Sequence, residues 1–162
     1  MAQKIYIKII EEDEDGAIKR PLEIEGLIED GITYNYDGTR LKWLSVAPVC
    51  VELYRQGSIK NGKYANKGLV ASSETSGVVL PKNATLVGMT IRTRNATATF
   101  SFSYEIDNVN QWSDVISATG NYSNNSLNTD LDAGEMGMIY FSGPDDQKDA
   151  VCHLFYRWRY TP

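Results

Sequence analysis

Between Ala96 and Ile106 apolar and small polar residues alternate at every step. Ala96, Ala98, Phe100, Phe102, Tyr104 and Ile106 share one parity, and Thr97, Thr99, Ser101, Ser103 and Glu105 share the other. A period of two predicts an extended strand with one face on a core and the other toward water. The signature returns at the end of the chain, where Ala150, Cys152, Leu154, Tyr156, Trp158 and Tyr160 alternate with Val151, His153, Phe155, Arg157 and Arg159. Around these two segments the pattern predicts further strands at 78–80, 85–94, 114–118, 127–131 and 135–142. The breaks between them are turn residues such as Asn83, Asn95, Asp107-Asn108 and Asp132-Ala133-Gly134. Short strands separated by such breaks predict an antiparallel sandwich or barrel. No window carries an apolar stripe of helical spacing, and a turn or two at 109–116 is the one helical candidate.

The first third reads as a run of hairpins. Ile5, Ile7 and Ile9 alternate with Lys4, Tyr6 and Lys8, and Glu11 to Gly16 forms an acidic tip. Pro21 marks the second strand as a sheet edge, and Asp37-Gly38 is a two-residue hairpin signal, since both positions accept positive φ. Strands at 41–46 and 49–54 follow, broken at Pro48. The segment 56–76, rich in Gly, Ser, Lys and Asn, reads as a loop or linker. The division expected is a β-hairpin arm with a basic loop over residues 1–67, then a β-sandwich domain over 68–162.

At 162 residues the chain suits one domain with an appended arm, and its net charge of −5 argues against nucleic-acid binding. No apolar run approaches the ~20 residues of a membrane span. The first ten residues, interrupted by Lys8 and running into acids, do not read as a signal peptide, so synthesis in a cytoplasm is expected. Cys50 and Cys152 form no CxxC and read as two reduced, buried thiols. Four sequons, at Asn83, Asn95, Asn121 and Asn124, read as turn residues.

Candidate chemistry is sparse. His153 is the only histidine, so any triad must use it, and alternation puts it on the face opposite its neighbour Cys152. The acidic run fails as an EF-hand because its twelfth position is Leu22, where a bidentate carboxylate is needed. Gly57 to Lys63 has phosphate-loop spacing, but Tyr64 stands where a Ser or Thr must hold the metal. No catalytic residue, metal ligand or cofactor is assigned. Trp112, in the polar stretch 108–114, is the candidate for stacking on a ligand. Tyr156, Arg157, Trp158 and Tyr160 are interface candidates, because aromatics and Arg are enriched at interfaces. Ile5, Ile7, Ile9, Lys60, Lys63 and Lys67 are candidates for contact with a partner.

Val79 to Ile91, with its Pro81-Lys82-Asn83 turn, followed by Leu131 to Phe141 with its Ala133-Gly134 turn, resembles β-sandwich modules of tailed-bacteriophage virions. These are jelly-roll-like capsid decoration (cement) proteins and head-fibre or tail-fibre domains. The resemblance covers about residues 78–160. It implies an antiparallel jelly-roll-like sandwich, which together with the hairpin pattern of residues 1–67 gives the expected fold: an all-β chain with a β-rich amino-terminal arm. It also implies a non-enzymatic virion protein that stabilises a shell as a symmetric homo-oligomer, a trimer in the common case. The expected partners are the major capsid protein or other virion proteins. The alternative is a fibre-type module that binds a carbohydrate or a receptor.

Overall fold

The structure, a computed structural model, describes residues 3–12, 18–59, 62–65, 77–94, 99–117, 120–143 and 147–160, with the backbone alone over 3–12, 18–25, 58 and 147. The described chain falls into two units, residues 1–47 with 159–162, and residues 48–158.

In the first unit, β1 (Gln3–Glu12), β2 (Ile18–Glu29), β3 (Ile32–Asp37) and β4 (Lys42–Ser45) form an antiparallel meander in chain order. Arg159 and Tyr160 pair with Leu44 and Trp43. Asp30 and Gly31, both at positive φ, make the two-residue turn between β2 and β3. The Asp37-Gly38 hairpin is wider than its sequence signal predicts. Residues 38–41 form the loop, Leu41 takes the positive φ, and Asp37 Oδ1 accepts from the backbone N–H of Thr39 and Arg40, both at 3.1 Å. β2 lies between β1 and β3, so it is not an edge over its whole length. β3 pairs only with Gly26 to Glu29, however, and Pro21 sits on the stretch that has β1 as its one partner among the described residues, a local edge where proline is tolerated. Leu27, Tyr34 and Leu44 are buried here, with Tyr34 and Tyr160 ring centroids 5.8 Å apart.

The second unit holds two antiparallel sheets in a β-sandwich arrangement. Its strands are β5 (Val49–Ile59), β6 (Lys63–Tyr64), β7 (Val78–Val79), β8 (Ala84–Arg94), β9 (Phe100–Ile106), β10 (Val109–Ile116), β11 (Asn121–Asn124), β12 (Thr129–Leu131), β13 (Met136–Ser142) and β14 (Gln147–Tyr160). One sheet runs β5-β14-β8, with β11 and β12 both on the far side of β8. The other runs β10-β9-β13, with β6 and β7 on the far side of β13. The predicted alternation is what faces the two sheets together. Phe100, Phe102, Tyr104 and Ile106 from β9 meet Ala150, Cys152, Leu154 and Tyr156 from β14 in one buried cluster. The second face of β9 is less open to water than its pattern predicts. Ser103 and Glu105 are buried there, and the Glu105 carboxylate accepts from Ser103 Oγ at 3.0 Å and Tyr64 Oη at 3.3 Å.

Two sequence expectations are corrected in this unit. Residues 109–116 are strand β10, entered through a two-residue turn in which Asp107 and Asn108 are both at positive φ, so the helical candidate is lost. The arm also ends earlier than residue 67. β5 pairs with β14 along nearly its whole length, and Leu53, Ile59 and Ala65 sit in the sandwich core. The segment looked like a linker because its polar residues bulge: Gly57 N–H donates to Asp149 Oδ1 at 2.6 Å, and Asp149 at positive φ carries the irregularity in β14.

Candidate functional site

The register of β5, β14 and β8 places Glu52, His153 and Thr90 in one cross-strand row on the outer face of their sheet. His153 Nε2 lies 2.7 Å from Glu52 Oε2, and its Nδ1 lies 3.2 Å from Thr90 Oγ1. The Tyr54 hydroxyl donates to the other Glu52 oxygen. An acid, an imidazole and a hydroxyl thus stand in a line able to pass a proton. Nucleophilic catalysis also needs main-chain N–H groups aimed at a developing oxyanion. Thr90 sits mid-strand, paired with His153 on one side and Ser123 on the other, so its neighbourhood commits those groups to the ladders. His153 and Glu52 are 39% and 40% exposed, which makes their contact a surface one of small energetic weight.

Beside this row a groove of about 580 Å³ follows β5, lined by Val49, Val51, Val78, Leu80, Pro81 and Trp158. Cys50 lies exposed at the groove and is a free thiol. Partial burial, with the Glu52 charge beside it, pushes its pKa up. Cys152 is free and fully buried, and burial pushes its thiol far up. Only one of the two cysteines is therefore the buried thiol that both were expected to be. Cys152 and His153 do face opposite sides of the sheet, one in the core and one half-buried on the surface. Among the described residues no three of His, Cys, Asp and Glu gather into a metal site.

The structure separates the candidates drawn from the sequence. Trp112 is no open stacking platform. It belongs to β10, its ring stacks on Tyr104 at 5.8 Å and meets Phe102 edge-on at 5.9 Å, and its Nε1–H donates to Thr129 Oγ1 at 2.9 Å. Of the polar neighbours that suggest a loop, Asn108 is in the turn, and Asn110, Gln111 and Ser113 are exposed residues of β10. Tyr156 is fully buried, its hydroxyl 3.1 Å from that of Tyr104, and has no surface to offer a partner. Arg157 and Trp158 are half-buried, with Trp158 on the groove wall, and half-buried Tyr160 packs on Tyr34. Ile5, Ile7 and Ile9 pair with Gly26, Ile24 and Leu22 through the β1–β2 ladder. Lys63 is a half-buried residue of β6, and Lys60 and Lys67 lie outside the described residues. What the sequence reading missed is the partner set of His153, because Glu52 and Thr90 stand 101 and 63 residues away from it.

Comparison with protein-family models, with characterised proteins and with solved structures returns no match, so the geometry carries the functional reading.

Proposed function

We propose that this chain is a non-enzymatic virion structural protein that decorates and stabilises a capsid shell as a symmetric homo-oligomer, with a trimer as the expected form. One observation supports it most, the way the chain alternates between the two sheets. β5 lies in the first sheet, β6 and β7 in the second, β8 in the first, β9 and β10 in the second, β11 and β12 in the first, β13 in the second and β14 in the first. We read this order as the double Greek key of a jelly roll, an architecture that viral capsid and lectin domains use. The appended meander of β1 to β4 agrees with an attachment element, since a small sheet gains from a partner that covers its apolar residues. On this reading the major capsid protein or another virion protein is the partner, and the chain is made in the host cytoplasm. The fibre-type carbohydrate module stands behind it, because Trp112, its stacking platform, is committed to Tyr104 and Thr129.

The test is whether the chain travels with particles. Particles purified through a density gradient should contain it at a fixed ratio to the major capsid protein. A chain found only in the soluble fraction overturns the reading.

A further inference from the structure

We infer that β5 carries an open docking edge, and that its occupant is β1 of a second copy of this chain. Among the described residues β5 pairs with β14 alone, and β1, at the end of its own meander, pairs with β2 alone. Among the described residues, then, no strand takes up the second row of main-chain donors and acceptors of either. The stretch 49–54, Val-Cys-Val-Glu-Leu-Tyr, has neither the proline nor the lysine that blunts an exposed edge, and its one charged residue is Glu52. The groove follows this stretch. Val49, Val51, Val78 and Leu80 line it together with Cys50, Glu52 and Tyr54. Alternation along β5 puts Val49 and Val51 on the face of the core residue Leu53, and Cys50, Glu52 and Tyr54 on the other, as an outer lip. An added strand must then alternate, with apolar residues toward the groove and residues that complement Glu52 on the other side.

Residues 3–10 have that pattern. Ile5, Ile7 and Ile9 share one parity and Lys4, Tyr6 and Lys8 the other, so the two lysines fall beside Glu52 when the isoleucines fill the groove. The stretch 3–10 carries two positive charges and no acid, and 49–54 carries one negative charge and no base. Opposed charge on adjacent strands fixes which face is which and adds to the pairing. The inference deepens the assembly reading above by naming the partner of β1, and it borrows from that reading only the expectation of an oligomer.

Cys50 supplies the test, since it is exposed on the outer lip whereas Cys152 is sealed in the core. Lys4→Cys, Tyr6→Cys and Lys8→Cys are each made in the full chain and oxidised gently with diamide. At least one of the three should give a disulfide-linked dimer on a denaturing non-reducing gel, and adding Cys50→Ser should abolish it. Ile5→Cys and Ile7→Cys, of the opposite parity, should give none. In sedimentation, the unmodified chain should associate, and Glu52→Lys should weaken association by about tenfold or more. A parent chain that is monomeric at every concentration overturns the inference, and this readout needs no variant to fold. An oligomer in which no even position links to Cys50, or in which odd positions link as well, overturns β1 as the occupant. A chain that cross-links as expected yet ignores capsid shells would sink the decoration reading and leave this one standing.

Discussion

The Tyr104 and Tyr156 hydroxyls meet at 3.1 Å between the two sheets of the sandwich. Gly137 on β13 makes room for them, since a Cβ there would strike the Tyr104 hydroxyl and lie 2.9 Å from that of Tyr156. Burial pushes both phenols up, so the pair stays neutral across the physiological range. Each hydroxyl is the other's partner inside an apolar cluster, which makes the two single changes costly and the double change mild. Tyr156→Phe should cost about 1–3 kcal/mol by leaving the Tyr104 hydroxyl without its partner. The Tyr104→Phe, Tyr156→Phe double variant should be nearer the parent than the sum of the singles. Urea unfolding of the four proteins measures this coupling, and Gly137→Ala should destabilise through the clash alone.

Trp112 is expected to act as a structural ring. Trp112→Ala should cost about 3 kcal/mol, because it removes the stack on Tyr104, the edge contact with Phe102 and the bond to Thr129. Its fluorescence should stay unchanged on titration with mono- and oligosaccharides. A saturable change would return the ring to the role of ligand platform.

The thiols should differ by environment. Cys152 should react with a thiol reagent only at the rate of unfolding, and Cys50 should react in the native chain. The Cys50 pKa is raised by partial burial and by Glu52. Its rate should therefore keep climbing with pH beyond the ordinary thiol value of about 8.5. Glu52→Gln removes a charge that disfavours the thiolate, so the pKa falls and the rate at neutral pH rises. Equal rates in the two proteins would contradict the placement of Glu52.

His153→Gln should cost less than about 1 kcal/mol, as expected for a solvent-exposed polar contact. It should leave attachment to shells intact. Loss of biological function with the fold retained by circular dichroism would revive catalysis by the row of Glu52, His153 and Thr90.

Cutting the chain in two places discriminates the boundary. Removing residues 1–47 follows the division between units and should leave a folded sandwich. Removing residues 1–67 takes away β5 and β6 with Leu53, Ile59 and Ala65 of the core. Each large apolar side chain contributes about 2 kcal/mol by burial, so the shorter chain should aggregate or unfold. Circular dichroism and solubility of the two fragments decide between boundaries at 47 and at 67.

The strands that could be read from the chain were those whose apolar and polar residues alternate without a break, β9 and β14 above all. Alternation states which residues share a face but not what covers them. It therefore turns Ser103 and Glu105 toward water, although Tyr64, far away in sequence, meets Glu105. Tyr156 reads as an interface residue because aromatic residues serve both interfaces and cores, and only Tyr104 across the sandwich decides which. β5 is half hidden in the sequence, since its polar end is held as a strand, across a bulge, by a ladder to β14 about a hundred residues later. Trp112 is misplaced because exposed polar residues on a strand read like a loop. The line from Glu52 through His153 to Thr90 left no trace at all, as register alone creates it.

The central claim is that the chain attaches to a capsid shell, and saturation binding tests it most directly. Full-length protein titrated onto shells stripped of it should pellet with them up to a plateau at a fixed number of copies per capsid subunit. The loaded shells should then withstand more heat or chelator than bare ones. Binding that never saturates, or protein that stays in the supernatant at every ratio, would contradict the account.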